Sequence, residues 1–404
     1  MKKILPICLV ALYLIVGCKP NASVEEQTPS STNMVTGLFE RKGALANADE
    51  WAKTKAKVAE LQLKIAAKPT DVKPMLQLAV IYISEARITG EHPYYYPAII
   101  SILDRVIAIE PANFEALVLK SSVKMSQHQF AEGKQLAEKA KVINPDNAYV
   151  YGILVDANVE LGDYKAAVMH SDKMQSLKPS LESYARASYL REIYGDYKGA
   201  IAAMQLAVDA GLPGSEPYCW AATTLAELYV KTGQLDKAAA ASQKVLAMRP
   251  SYAFAMCRLA EAELERKNYP VALALLDSAA AILPEFSFHE RMADLYAAQG
   301  DTSKALLKYA DVARMLNEDE HSGHTVALEK AKLYVKMNAL DSATKYVQIE
   351  LNKRPNNIDV NKTMAEISLL QKNAAAAKKH LALAQSTGNR DPELLALAKA
   401  IGKI

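Results

Sequence analysis

The stretch Leu161-Gly162-Asp163-Tyr164-Lys165-Ala166-Ala167 decides the fold, because it returns further on as Tyr194-Gly195-Asp196-Tyr197-Lys198-Gly199-Ala200. The same phase holds Thr232-Gly233-Gln234-Leu235 with Ala238, Gln299-Gly300-Asp301 with Ala305, and Met337-Asn338 with Ala343. Each reads as a tight turn between two helices. The glycine supplies the left-handed backbone that ends the first helix. The small alanine early in the second helix lets the pair approach closely.

Prolines set the period. Pro111, Pro145 and Pro179 are each 34 residues apart, and Pro213 continues the series. Pro250 and Pro284 are again 34 apart, after a gap three residues longer, and Pro284 to Pro355 is two periods plus three. Each proline stops a second helix, because the residue before it is pushed out of the helical region. A 34-residue helix-turn-helix period marks a repeat array. Over residues 71–391 the chain resembles the tetratricopeptide repeat family.

The resemblance implies an all-α fold, a right-handed α-solenoid of about nine hairpins. They fall at 71–113, 114–147, 148–180, 181–215, 219–252, 253–285, 286–320, 324–357 and 358–391. A helix over Ala48 to Ala67, containing Trp51, and another over Asp391 to Ile401 are expected as terminal caps, since an uncapped hairpin exposes an apolar face. Loop insertions are expected at Gly211-Leu212-Pro213-Gly214 and from Asn317 to Gly323. His92-Pro93-Tyr94-Tyr95-Tyr96-Pro97 reads as an aromatic loop inside the first hairpin.

Composition agrees with helices. Half of the 404 residues are hydrophobic and Trp occurs only twice. A net charge of +3, which includes Lys2 and Lys3, gives no basic field for nucleic acid. At the N-terminus a short basic start is followed by an apolar run from Ile4 to Val16, the pattern of a secretory signal. Ile15-Val16-Gly17-Cys18 resembles the lipobox of bacterial lipoproteins. That likeness implies an acylated Cys18 as a membrane anchor, and Lys19 after it favours the outer membrane. Each acyl chain contributes about 0.8 kcal/mol per buried CH₂. Residues 19–48 read as a polar, flexible tether before a solenoid spanning 49–404.

In this family the first helix of each hairpin lines a concave groove through positions 2, 5, 9, 12 and 13. Position 9 here is Ser122, Asp156, Tyr189, Glu227, Glu261, Asp294, Lys332 and Glu366, five of them acidic. Glu160, Glu192 and Glu265 add to the acids, as do Glu115, Glu182 and Glu290. Lys231, Lys332, Lys336 and Lys362 are the main opposing charges. The middle of the groove is therefore expected to be acidic and to favour a cationic segment. Tyr149, Tyr189, Trp220 and Phe254 fall at inward positions as candidate apolar anchors. The lysine and asparagine clamp for carboxylate tails known in the family is absent, because the matching central positions carry acids.

The expected function is a lipid-anchored scaffold that binds a protein or peptide partner. A glycan-binding outer-membrane lipoprotein is the alternative, disfavoured by regular repeats and only 7% aromatic residues. No catalytic set, nucleotide fingerprint or cofactor motif is present, so no enzyme is expected. His321 and His324 lack a third ligand nearby, which argues against a metal. Cys219 and Cys257, on neighbouring first helices, leave a disulfide open.

Overall fold

The computed structural model describes residues 37–41 and 48–403. The signal segment, Cys18 and most of the tether lie outside the described residues. Residues 35–404 form one compact unit, which contains every described helix.

The described residues hold twenty helices and no strand. α1 (Ala48–Ala67) comes first. Three hairpins follow: α2 (Val72–Thr89) with α3 (His92–Ile109), α4 (Phe114–Ser126) with α5 (Phe130–Ile143), and α6 (Ala148–Leu161) with α7 (Tyr164–Leu177). The next three are α8 (Leu181–Ile193) with α9 (Tyr197–Ala210), α10 (Glu216–Lys231) with α11 (Leu235–Met248), and α12 (Ala253–Glu265) with α13 (Tyr269–Ile282). The last three are α14 (Phe286–Ala298) with α15 (Thr302–His321), α16 (Ala327–Lys336) with α17 (Leu340–Lys353), and α18 (Ile358–Leu370) with α19 (Ala374–Ala384). α20 (Pro392–Ile401) closes the series. The architecture is the expected α-solenoid of nine hairpins between two single helices.

Local chemistry explains the punctuation. Gly162 and Gly195 end their first helices at φ 81° and 76°. His128, Lys267, Asn338 and Lys372 hold the same conformation without the freedom of glycine, at φ 56° to 61°. After the stopping prolines, Asn113, Asn147 and Asn357 cap the next first helix by accepting its backbone N–H groups. Ala167, Ala200, Ala238 and Ala343 are wholly buried where paired helices touch.

Three expectations need correction. His92 to Pro97 is not a loop but the opening turns of α3, with Pro93 in the first turn and Pro97 inside the helix. Proline is tolerated in the first turn because that N–H is unpaired in any case. The stretch from Asn317 is helical as far as His321, so α15, with 20 residues, is nearly two turns longer than the 14-residue α13 and α17, and the loop shrinks to residues 322–326. Part of the expected tether is docked: the Phe39 N–H donates to the Tyr95 hydroxyl (2.9 Å) and Tyr94 donates to the Gly37 carbonyl (3.0 Å). Arg41 in that segment is buried against the buried Glu85 (2.6 Å) and also reaches Glu50 (2.8 Å). Cys219 and Cys257 are both buried and free, so no disulfide joins them.

The solenoid also closes on itself. The turns of the first four hairpins meet the linkers that precede α14, α16, α18 and α20. A Cβ at Gly90 would lie 3.2 Å from Pro284. Thr325 donates to the Gln127 carbonyl (2.9 Å), and Gln129 to the Gly323 carbonyl (2.8 Å). Arg354 pairs with Glu160 (2.6 Å), Asn357 donates to the Glu160 carbonyl (3.0 Å), and the Ile358 N–H to Tyr164 (2.8 Å). Thr387 donates to the Ile193 carbonyl (2.8 Å). The last three bonds span 197, 194 and 194 residues. One superhelical turn thus takes just under six hairpins, and successive turns touch along a seam.

Candidate functional site

The site is built on the first helices of hairpins three to five. α6, α8 and α10 place Asp156, Arg186, Tyr189, Glu192, Trp220, Glu227 and Lys231 around one cavity of about 480 Å³. Trp220 keeps 45% of its surface exposed and Tyr189 38%, although each sits on a rigid, well-packed helix. Tyr149 and Phe254 are similarly exposed, and Phe254 makes an edge contact with Phe288 at 5.6 Å. Crowding in the concave wall, with Glu160 and Asp359 near, pushes the Tyr189 hydroxyl well above its ordinary range.

The acids of this wall are bound to cations from the next hairpin. Asp156 meets Arg186 at 2.6 Å, Glu227 meets Arg258 at 3.5 Å, and Glu261 meets Arg291 at 2.9 Å. Arg258 also holds Glu261 on its own helix (2.6 Å). Lys231 bridges Glu192 and Glu227 at 2.7 and 2.9 Å. Lys336 bridges Glu290 and Asp294 at 2.9 and 2.8 Å. Glu160 takes its cation, Arg354, across the seam. Of the acids expected in the groove, Asp156, Glu160, Glu192, Glu227, Glu261, Glu290 and Asp294 are therefore paired. Glu265, Glu115 and Glu182 are exposed and have no ion pair among the described residues.

Titration follows this geometry. Burial raises the Glu192 carboxyl, with Lys231 pulling the other way. Burial also opposes ionisation of Glu227, but Arg258 and Lys231 outweigh it and hold that carboxyl below its usual range. Lys231 itself is raised, because Glu227 and Glu192 overcome its burial.

Sequence reasoning missed the arginines. Arg186 and Arg291 each lie 30 residues after the acid they hold, and Arg258 lies 31 after Glu227. That acid-to-arginine spacing, close to one period, is the signal that finds the ladder. A second, tighter cavity of about 200 Å³ lies at the seam. It is bounded by Tyr189, Glu192 and Lys231 on one turn and by Asp359, Lys362 and Asp391 on the next. No group of three or more metal-ligating side chains occurs among the described residues.

No family model matches the chain, and no curated protein matches it. Among solved structures, a thermophilic tetratricopeptide repeat protein of Thermus thermophilus is 20% identical, with a TM-score of 0.43 over 48% of this chain and 100% of that one. PilF of Pseudomonas aeruginosa is 14% identical, with a TM-score of 0.40 over 52% of this chain and 95% of that one. A tetratricopeptide repeat protein of Parabacteroides merdae is 15% identical, with a TM-score of 0.39 over 72% of this chain and 98% of that one.

Proposed function

We infer that the chain is a scaffold that holds a segment of a partner protein against its concave wall. The observation that carries this reading is the cavity where Tyr189 and Trp220 stay exposed on helices fixed by packing on both sides. Large aromatic side chains held rigidly lose little entropy on binding and are the usual anchors of protein interfaces. The anchor is an apolar side chain of the partner, seated between these rings.

Charge sets the rest of the segment. Because the ladder acids are already paired, a ligand cation gains little from them unless it displaces a lysine or arginine. Glu115, Glu182 and Glu265, with Glu366 at the far end of the wall, have no ion pair among the described residues, and they favour a cationic stretch beside the apolar anchor. An acylated Cys18, set on the outer membrane, holds the scaffold near a membrane or secreted partner.

The test is crosslinking and pull-down of the protein from its native membrane at low and high salt, with Trp220→Ala plus Tyr189→Ala alongside. Losing two anchors costs about 2 kcal/mol or more, a drop in affinity of roughly 30-fold. Recovery of one protein partner, weakened by high salt and by the double variant, is the expected result. Recovery of glycans, or of a partner indifferent to both changes, rejects the reading.

A further inference from the structure

The cavity at the seam is made by residues that the closure brings together. Tyr164 and Tyr189 come from hairpins three and four, Asp359 from the first turn of α18, and Asn389 from the linker before α20. Val159, Ile193 and Leu394 are buried and give it apolar walls. At about 30 Å³ for each water-sized group, its volume of about 200 Å³ holds roughly six. Tyr189, Glu192 and Lys231 also line the concave cavity that carries Trp220, so the two recesses adjoin.

Most polar groups around this cavity are already spent. Tyr164 accepts the Ile358 N–H, and Asn357 accepts two N–H groups and donates to the Glu160 carbonyl. Lys362 holds Asp391 (3.1 Å) and Glu393 (2.6 Å), and Lys231 takes one oxygen of Glu192 (2.7 Å). Three acceptors remain. The Asp359 carboxylate has no ion pair and no hydrogen bond among the described residues. The Tyr189 hydroxyl and the second oxygen of Glu192 have no hydrogen bond among them either.

The cavity is short of positive charge. Glu192, Asp359 and Asp391 line it against Lys231 and Lys362. Burial raises the Glu192 carboxyl, and Glu227 and Asp391 add to the rise that Lys231 opposes. Burial raises the Glu160 carboxyl as well, and Asp359 adds to that rise against Arg354. An acid in the first turn of α18 suits the helix N-terminus, which explains Asp359 but not the free oxygens facing it from hairpin four. A metal ion is a poor match, because the described residues hold no group of three or more metal-ligating side chains.

We propose that the seam cavity receives the side chain of a lysine in the bound partner segment. This extends the concave-wall reading, on which it rests, by one side chain. The partner's apolar anchor sits between Tyr189 and Trp220, and the lysine beside it passes Tyr189 into the seam. Its methylenes pack on Val159, Ile193 and Leu394. Its ammonium, with three donors and no acceptor, meets the three free oxygens. A guanidinium brings five donors in a rigid plane, more than the cavity answers. The occupant is a partner's lysine and not a free amine because the cavity adjoins the concave one through shared side chains. Since the oxygens belong to both turns, the partner grips the seam as well as the groove.

The test uses the full chain in mild detergent, with n-butylammonium as the probe and n-butanol as its uncharged counterpart. Saturation-transfer NMR is expected to show n-butylammonium binding with a Kd on the order of millimolar, and n-butanol far more weakly. Asp359→Asn, at an exposed position and unchanged in thermal unfolding, is expected to weaken n-butylammonium at least about tenfold. Trp220→Ala, which lines only the concave cavity, leaves that binding unchanged. In the pull-down, Asp359→Asn and acetylation of the partner's lysines each lower recovery of the partner. No saturable n-butylammonium binding, equal binding of n-butanol, or equal binding to Asp359→Asn overturns the proposal. A partner lost with Trp220→Ala but held undiminished by Asp359→Asn leaves the scaffold standing and overturns the lysine.

Discussion

Gly162 and Gly233 adopt the same backbone conformation, but only Gly162 faces another turn of the solenoid. Gly233→Ala is expected to cost about 1–2 kcal/mol, the strain of a left-handed alanine. Gly162→Ala carries that strain and also drives a methyl into the Asn356 backbone, so its loss in urea unfolding should be clearly larger. Equal losses would show that the seam contributes no stability. Tyr164 and Tyr197 form a second matched pair. Tyr164 accepts the Ile358 N–H, but the equivalent residue for Tyr197 is Pro392, which has no N–H, and the buried Tyr197 hydroxyl has no hydrogen-bond partner among the described residues. Tyr164→Phe is expected to cost about 1 kcal/mol, and Tyr197→Phe to be neutral or stabilising. The turn role of these glycines is legible in the sequence, because it depends on neighbours in the chain. Their role against the next turn is not, because it depends on residues almost two hundred positions away.

Between elements, the ladder of acids and arginines was half legible. The acids stand at a fixed place in each first helix, whereas their partners come from the first helix of the next hairpin at a spacing a few residues short of the repeat. Arg354 is the most exacting member. It is 5% exposed, binds Glu350 (2.6 Å) within α17 and Glu160 across the seam, and lies over Phe130. Arg354→Ala leaves the 2%-exposed Glu350 uncompensated and is expected to cost about 3–5 kcal/mol in chemical denaturation. The linker before α16 adds a pH response. His324 stacks near Tyr96 (5.5 Å) and His92 (6.3 Å), and burial, with His92 and His128 adding to it, pushes its pKa down to about 4. Asp319, Glu329 and Arg87 are the other charges around this cluster. An imidazole neutral in the fold and near 6.5 when unfolded binds fewer protons folded, so stability falls as pH drops from about 6.5 towards 4. Tm measured across that window should decline, and His324→Phe, which keeps the stack, should flatten part of the decline.

At the scale of the molecule, the number and order of helices follow from the 34-residue period alone. The closure does not. It is set by a small rotation at each hairpin interface summed over nearly six of them, and a few degrees at each would part the turns. The seam changes how the array holds together. A simple repeat stack is tied only to its neighbours, so its parts open almost independently. Here hairpins one to four are clasped to hairpins seven to nine and α20, while residues 216–282, in hairpins five and six, make no hydrogen bond or ion pair across the seam among the described residues. Native-state hydrogen exchange should therefore show the two clasped ends protected together and residues 216–282 opening at lower free energy. Such a body behaves as a split ring with its overlapping ends pinned: a pull on the ends is borne first by the seam, and the compliance of the whole concentrates in the short arc of two hairpins left unpinned.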